Sequence, residues 1–139
     1  MDERLMRVGT TYIPVQNLDV SVEWYRTIGA ALNYRDQDKA ILDLANQSFF
    51  LVNAEVGQSS NFYDANGKEH FLLTFEVDGL ASLELIHNRF RELGIAIGNI
   101  EDRGHTGRNF VFKDPDGNMF DVWSELSPQF KEKFKEEVE

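Results

Sequence analysis

The sequence contains no cysteine, which excludes a disulfide scaffold, a thiolate metal site and a cysteine nucleophile. No stretch approaches the ~18–20 consecutive apolar residues that span a bilayer, so no membrane partner is expected. The start, Met1-Asp2-Glu3-Arg4-Leu5, lacks the apolar run of a secretion signal, and the expected location is the cytoplasm. Basic residues are scarce: 14 Lys and Arg against 24 Asp and Glu leave a net charge of −10. That sign argues against nucleic acid and anionic membranes, and it is compatible with cationic ligands. Phosphate-cradling glycine loops, dinucleotide fingerprints and nucleophile–base motifs are also missing.

What is there is a chain of 139 residues, 42% hydrophobic, long enough for one globular domain with a sizeable core. Residues 8–15 read as a strand. Asn17 or Asp19 can cap a helix whose apolar face carries Val22, Trp24, Tyr25 and Ile28 and whose stop is Gly29. Residues 30–34 and 39–44 form a hairpin around Asp36-Gln37-Asp38, and residues 47–53 add a further strand. Residues 55–69 are polar and glycine-bearing, and read as a linker across the surface.

The same order then repeats. Residues 70–77 read as a strand. Leu80, Leu83, Ile86 or His87, Phe90 and Leu93 recur at helical spacing and end at Gly94. A short strand over 95–100 and a loop over 101–108 lead into a last hairpin, residues 109–123. Its turn is Asp114-Pro115-Asp116-Gly117-Asn118, in which Pro115 presets φ and Gly117 can take φ > 0. Val15 and Val77 hold equivalent places, as do Leu18 and Leu80, with one offset (77 − 15 = 62; 80 − 18 = 62). A fixed offset between like units signals an internal duplication. The division is therefore a single domain over 1–126, with module one at 5–54, the linker at 55–69 and module two at 70–126. Residues 127–139 form a separate amphipathic helix with Ser127 as N-cap, Pro128 at the first position, and a stripe of Phe130, Phe134 and Val138.

Asp121 stands out in the last strand, a carboxylate between Phe120 and Val122. It points either at water or into a pocket, where it would bind a cation or act as a base. His70 faces the side of Leu72 if residues 70–77 are one strand, and could form a dyad with Asp121 or serve only as an exposed strand-start histidine. By the same alternation Tyr12, Thr74 and Trp123 share a side with Thr10, Leu72 and Asp121. They would wall a flat pocket or simply pack. His87 reads as surface or helix packing. His105 lies in a glycine-flanked loop able to close over a ligand.

The string Ile13-Pro14-Val15-Gln16-Asn17-Leu18-Asp19-Val20-Ser21-Val22-Glu23-Trp24-Tyr25, the segment Phe75 to Leu80 and the hairpin Phe110 to Asn118 together resemble the vicinal oxygen chelate superfamily. This superfamily contains glyoxalase I, extradiol dioxygenases and the bleomycin- and fosfomycin-resistance proteins. The resemblance implies an α+β fold of two βαβββ modules forming a curved mixed sheet, plus the C-terminal helix. It implies a homodimer with the ligand held in the concavity of the sheet, and functions that include antibiotic resistance. In metal-dependent members four positions supply ligands, and here they fall on Thr10, Leu72, Phe49 or Phe50, and Asp121. Only Asp121 is a strong donor, and a divalent ion needs several. The resemblance therefore points to a binder of a small aromatic or cationic molecule, with no cofactor expected. Its pocket would be lined by Thr10, Tyr12, Phe50, His70, Leu72, Thr74, Asp121 and Trp123. Should it be catalytic, Asp121 and His70 are the best candidates. The alternative is a glyoxalase-like lyase or dioxygenase-like enzyme with a divalent metal held by Asp121, His70 and water.

Overall fold

The computed structural model describes residues 3–138, with side chains described through residue 133. The chain forms two compact units that divide between Ser59 and Ser60.

The first unit runs β1 (Thr10–Val15), α1 (Leu18–Thr27), β2 (Ala31–Arg35), β3 (Lys39–Leu44) and β4 (Gln47–Asn53). The sheet order is β1-β4-β3-β2, with β1 parallel to β4 and the other pairs antiparallel. Alternation sorts its residues. Ile13, Val15, Ala40, Leu42, Phe49 and Leu51 are buried together with Leu18, Val22 and Tyr25 of α1, each large side chain contributing about 1.5–3 kcal/mol. Asn17 caps α1 by accepting the Val20 N–H at 3.2 Å, and Gly29 ends it at φ +110°, a conformation glycine adopts without a Cβ clash. The other face aligns Tyr12, Phe50, Ile41 and Tyr34 as register partners across all four strands, and the Tyr12 and Phe50 rings lie 5.1 Å apart.

The second unit contains β5 (Phe62–Tyr63), β6 (Glu69–His70), β7 (Thr74–Glu76), α2 (Leu80–Glu92), β8 (Ala96–Ile97), β9 (Asn109–Lys113), β10 (Met119–Trp123) and α3 (Pro128–Val138). Its main sheet is ordered β7-β10-β9-β8, with β7 parallel to β10. This is the first unit's order repeated. The duplication is also kept in register: Tyr12 pairs with Phe50 as Thr74 pairs with Asp121, and the first partners differ by the same offset as the valines (74 − 12 = 62). Leu83, His87 and Phe90 of α2 are buried, as are Phe110, Phe112, Phe120 and Val122. The Phe90 ring meets those of Phe110 and Phe112 edge-on. His87 is thus a packing residue, within 2.8 Å of the Gly98 carbonyl through Nε2.

Two sequence expectations change. Residues 70–77 are not one strand: His70 belongs to the β5–β6 hairpin and β7 begins only at Thr74. The cause is local, since the Phe71 N–H turns back onto His70 Nδ1 at 2.9 Å instead of joining a ladder. The 55–69 segment is also not a plain surface linker. From Ser60 onward it clamps the β9–β10 turn: the Ser60 N–H donates to Asn118 Oδ1 at 2.8 Å, and Asn61 donates to the Gly117 carbonyl at 2.7 Å while accepting the Met119 N–H at 2.8 Å. That turn is rigid in its own right, with Asp114 Oδ1 accepting the N–H groups of Asp116 and Asn118, each at 2.9 Å. At the other end, Glu76 accepts the Ser127 N–H at 2.8 Å and its hydroxyl, which fixes where α3 starts. Phe130 is half-buried, and the side chains of Phe134 and Val138, predicted to share its stripe, lie outside the described residues.

Candidate functional site

One face of the second unit's sheet packs on α2 and the other carries polar groups. Asn109, Val111 and Lys113 of β9 share that polar face with Met119, Asp121 and Trp123 of β10 and with Thr74 and Glu76 of β7. Asp121 is 2% exposed, so it does not point at bulk water. Its Oδ2 accepts from Asn109 Nδ2 at 2.8 Å and from the Thr74 hydroxyl at 3.2 Å. Its Oδ1 stands 3.0 Å from Arg103 Nη2, a charge contact at an angle that does not make a hydrogen bond. Arg103 also donates from Nε to Glu101 at 2.8 Å and lies over the Phe71 ring, 5.8 Å from its centre. Burial works against the guanidinium charge, but the Glu101 hydrogen bond and the Asp121 charge outweigh it, so the Arg103 pKa is raised.

Beside this ion pair lies a cleft of about 300 Å³. Val111, Met119 and Phe71 give it apolar walls, Glu101 and Arg103 enter from the loop before β9, and Glu69 and His70 come from β6. Asp64 and Lys68 from the β5–β6 turn complete it. Asp64 is held below its ordinary pKa by the backbone N–H groups of Lys68 and Asn66, and Glu69 by hydrogen bonds from Asn61 and Lys113. The His70 ring is stacked on Phe62 at 5.1 Å.

The residues expected to line a pocket are therefore dispersed in role. His70 lines the cleft, with Asp121 behind it under Arg103. The two share no hydrogen bond or ion pair, so the expected dyad does not form. Leu72 is 70% exposed in the turn between β6 and β7, outside any strand, because the chain breaks there. Thr74 is spent on Asp121. Trp123 donates its indole N–H to the Thr106 carbonyl at 2.9 Å, and Ser124 Oγ accepts the Arg108 N–H at 2.8 Å, so the His105 loop is tied to the end of β10. Thr10, Tyr12 and Phe50 belong to the first unit, where Thr10 and Tyr12 are exposed and Phe50 is partly so. The register resolves which phenylalanine corresponds to Asp121: it is Phe50, while Phe49 is core. Sequence reasoning missed Arg103, Asn109 and Asn61. None sits in a periodic or spaced motif; the need of a strand carboxylate for partners pointed toward Arg103 and Asn109, and nothing pointed toward Asn61.

The four positions that the resemblance assigns to metal ligands are Thr10, Leu72, Asp121 and, as the register equivalent of Asp121, Phe50. Leucine and phenylalanine donate nothing, and the one carboxylate is already held by a guanidinium that would repel a divalent cation. Asp121 Oδ1 and Asn109 Oδ1 are buried without a hydrogen bond among the described residues, but two oxygens beside a cation fall short of the donor set such an ion takes. No cluster of three or more His, Asp or Glu suited to a metal occurs among the described residues. The residues present do not fit the group.

The fold has many solved relatives. A lactoylglutathione lyase from Agrobacterium tumefaciens superposes with a TM-score of 0.69 at 20% identity, over 88% of this chain and 96% of that one. The fosfomycin resistance protein FosX from Listeria monocytogenes gives 0.73 at 14% identity, over 88% and 96%. A structure of the same FosX complexed with Mn(II) and a sulfate ion gives 0.69 at 15% identity, over 96% and 99%. At these identities the likeness shows the fold, two modules with curved mixed sheets and a C-terminal helix. No curated protein sequence matches the chain. Residues 7–122 match the family described as the Glyoxalase/Bleomycin resistance protein/Dioxygenase superfamily, and with its duplicated β-α-β-β-β units the chain belongs to that superfamily.

Proposed function

We propose that the protein binds a small organic molecule in the second unit's cleft and does so without the divalent metal used by other members. The observation that carries this reading is the Asp121–Arg103 pair: a guanidinium stands against the one ligand position that kept a carboxylate. An aromatic body suits the apolar walls, since Phe71, Val111 and Met119 offer flat and flexible apolar surface. A cationic ligand loses the free carboxylate it would need, because Asp121 is already paired. The ligand as a drug, and the protein as a resistance factor, follow the fosfomycin-resistance neighbours. A homodimer is supported by the row of Tyr12, Phe50, Ile41 and Tyr34, in which Tyr12 is 65% exposed, an apolar sheet face suited to cover by a second copy.

Elemental analysis of purified protein and melting with and without Ni, Zn, Mn and Fe test the reading. The expected result is substoichiometric metal and no metal-dependent stabilisation. A bound metal at one equivalent would establish the second reading, a metal-dependent lyase or dioxygenase-like enzyme, which is favoured by the Mn(II) complex of one structural neighbour.

A further inference from the structure

The cleft is lined by three carboxylates and three basic side chains, and what separates them is which are already engaged. Asp64 Oδ1 accepts the N–H groups of Asn66 and Lys68 at 2.9 and 3.0 Å. Glu69 accepts from Asn61 at 2.9 Å and from Lys113 at 3.1 Å. Glu101 accepts from Arg103 Nε at 2.8 Å. Each carboxylate thus has at least one donor, and Glu69 has one on each oxygen.

The basic groups are less engaged, with the Lys68 and His70 side chains acting on Asp64 through charge alone. Lys68 Nζ has no hydrogen bond or ion pair among the described residues. His70 Nδ1 lies 2.9 Å from the Phe71 N–H and 3.0 Å from the Phe71 carbonyl oxygen, so it has a partner in either tautomer, and Nε2 is the open ring nitrogen, with no partner among the described residues. Arg103 spends Nε on Glu101 and Nη2 on Asp121, and Nη1 remains. A ligand entering this cleft meets carboxylates that each hold a donor and, at Lys68 Nζ and Arg103 Nη1, donors that hold no acceptor among the described residues. Donors without acceptors favour a ligand that brings negative oxygens, and charge-assisted hydrogen bonds to Arg and Lys are the stronger kind.

We propose that the ligand is a small organic oxyanion, a carboxylate or a phosphonate or phosphate, gripped by Lys68, His70 and Arg103 with its apolar body against Phe71, Val111 and Met119. The proposal rests on the reading of this cleft as the ligand site. A volume of about 300 Å³ keeps the ligand small, at the lower end of ligand pockets. The net charge of −10 does not oppose it at contact range, because distant surface charge is screened within ~8–10 Å at physiological salt.

The test uses the full chain, free of added metal, in calorimetry and thermal melting with five probes: benzoate, phenylphosphonate, inorganic phosphate, benzylammonium and benzyl alcohol. Benzoate or phenylphosphonate should bind and stabilise, more weakly as salt is added, and benzylammonium should not. The better of the two anions tells a carboxylate site from a phosphonate one, and inorganic phosphate binding as well as phenylphosphonate would assign the grip to the anion alone. Lys68→Gln, at an exposed position, should weaken the anion about tenfold without loss of folding, and His70→Gln should weaken it similarly. Anion affinity unchanged in both variants overturns the proposal. So does binding of benzylammonium or benzyl alcohol in place of the anions, although a small-molecule site would then stand. Anion binding only after Mn(II) is added overturns the metal-free reading and this proposal together.

Discussion

Arg103 Nη2 and Asp121 Oδ1 stand 3.0 Å apart, one side chain 28% exposed and the other 2%. A carboxylate so buried carries a heavy desolvation penalty unless charge and donors replace water. Here Arg103 supplies the charge, and Asn109 and Thr74 supply the donors. The pair ties the loop before β9 to the middle of β10, and so it anchors Arg103, one of the residues that line the cleft.

Asp121→Asn is accordingly expected to cost stability as well as any ligand effect. Removing one member of a buried pair costs about 3–5 kcal/mol when the other is left fully buried. Arg103 keeps Glu101 and partial solvent access, so about 1–3 kcal/mol is expected here. Urea denaturation of Asp121→Asn, Arg103→Gln and the double variant measures the coupling. Single-variant costs that simply add would show that the pair contributes nothing of its own.

Much of this molecule was legible in its residues. Two helices, the Asp36-Gln37-Asp38 hairpin and the Asp114 to Asn118 turn all announce themselves through period, capping and turn chemistry, and the offset between Val15 and Val77 gave the duplication. The strand over 70–77 failed because alternation cannot reveal that His70 will take its own neighbour's N–H. The linker failed because its polar residues were read as solvated, whereas Asn61 spends them on a turn 56 residues away. At the site, Asp121 could be read from the sequence as a carboxylate set in an apolar strand. The partner of Asp121 could not, since Arg103 meets it across 18 residues of loop and strand with no repeating pattern (121 − 103 = 18).

Acid should loosen the β5–β6 hairpin through Glu69. Hydrogen bonds from Asn61 and then Lys113 depress its pKa below the ordinary 4.5. A group with a depressed folded-state pKa stabilises fully above its unfolded value, and that stabilisation is lost as pH falls through the folded one. Glu69→Gln should therefore lower the melting temperature at neutral pH, and the gap from the parent protein should close below about pH 4. A gap that stays constant down to about pH 3 would show that the charge of Glu69 adds nothing.

Gly107 and Gly104 offer a matched comparison in one loop. Both have positive φ, +83° and +87°, so alanine at either pays roughly 1 kcal/mol in backbone strain. At Gly104 a Cβ meets open space. At Gly107 it would lie 2.7 Å from Ser124 Oγ and 2.8 Å from both Glu125 Cγ and Trp123 Nε1. Relief there means moving the groups that pin the loop, the Trp123 bond to Thr106 and the Ser124 bond to Arg108. Gly107→Ala should be the more destabilising of the two by about 1 kcal/mol or more. It should also change Trp123 fluorescence, which Gly104→Ala should leave alone. Equal costs in denaturant would mean that the loop yields freely at its β10 end.

Asn61 is the side chain on which the start of the second unit depends. It donates to the Gly117 carbonyl at 2.7 Å and to Glu69 at 2.9 Å, and its Oδ1 accepts the Met119 N–H at 2.8 Å. Asn61→Ala would strip the partner from a backbone N–H and a carbonyl at the turn between β9 and β10, and each such loss costs about 1–3 kcal/mol where water cannot replace it. With both groups partly buried, a total of about 2–3 kcal/mol is expected, against almost nothing for Asn66→Ala, whose side chain is exposed and makes none of these bonds. Hydrogen exchange should report it first at Met119, whose amide loses its acceptor, and next at Asp64 and Lys68, whose hairpin loses the Asn61–Glu69 tie. Unchanged protection at Met119 in Asn61→Ala would mean that the β9–β10 turn holds itself and that the 60–70 segment merely rests upon it.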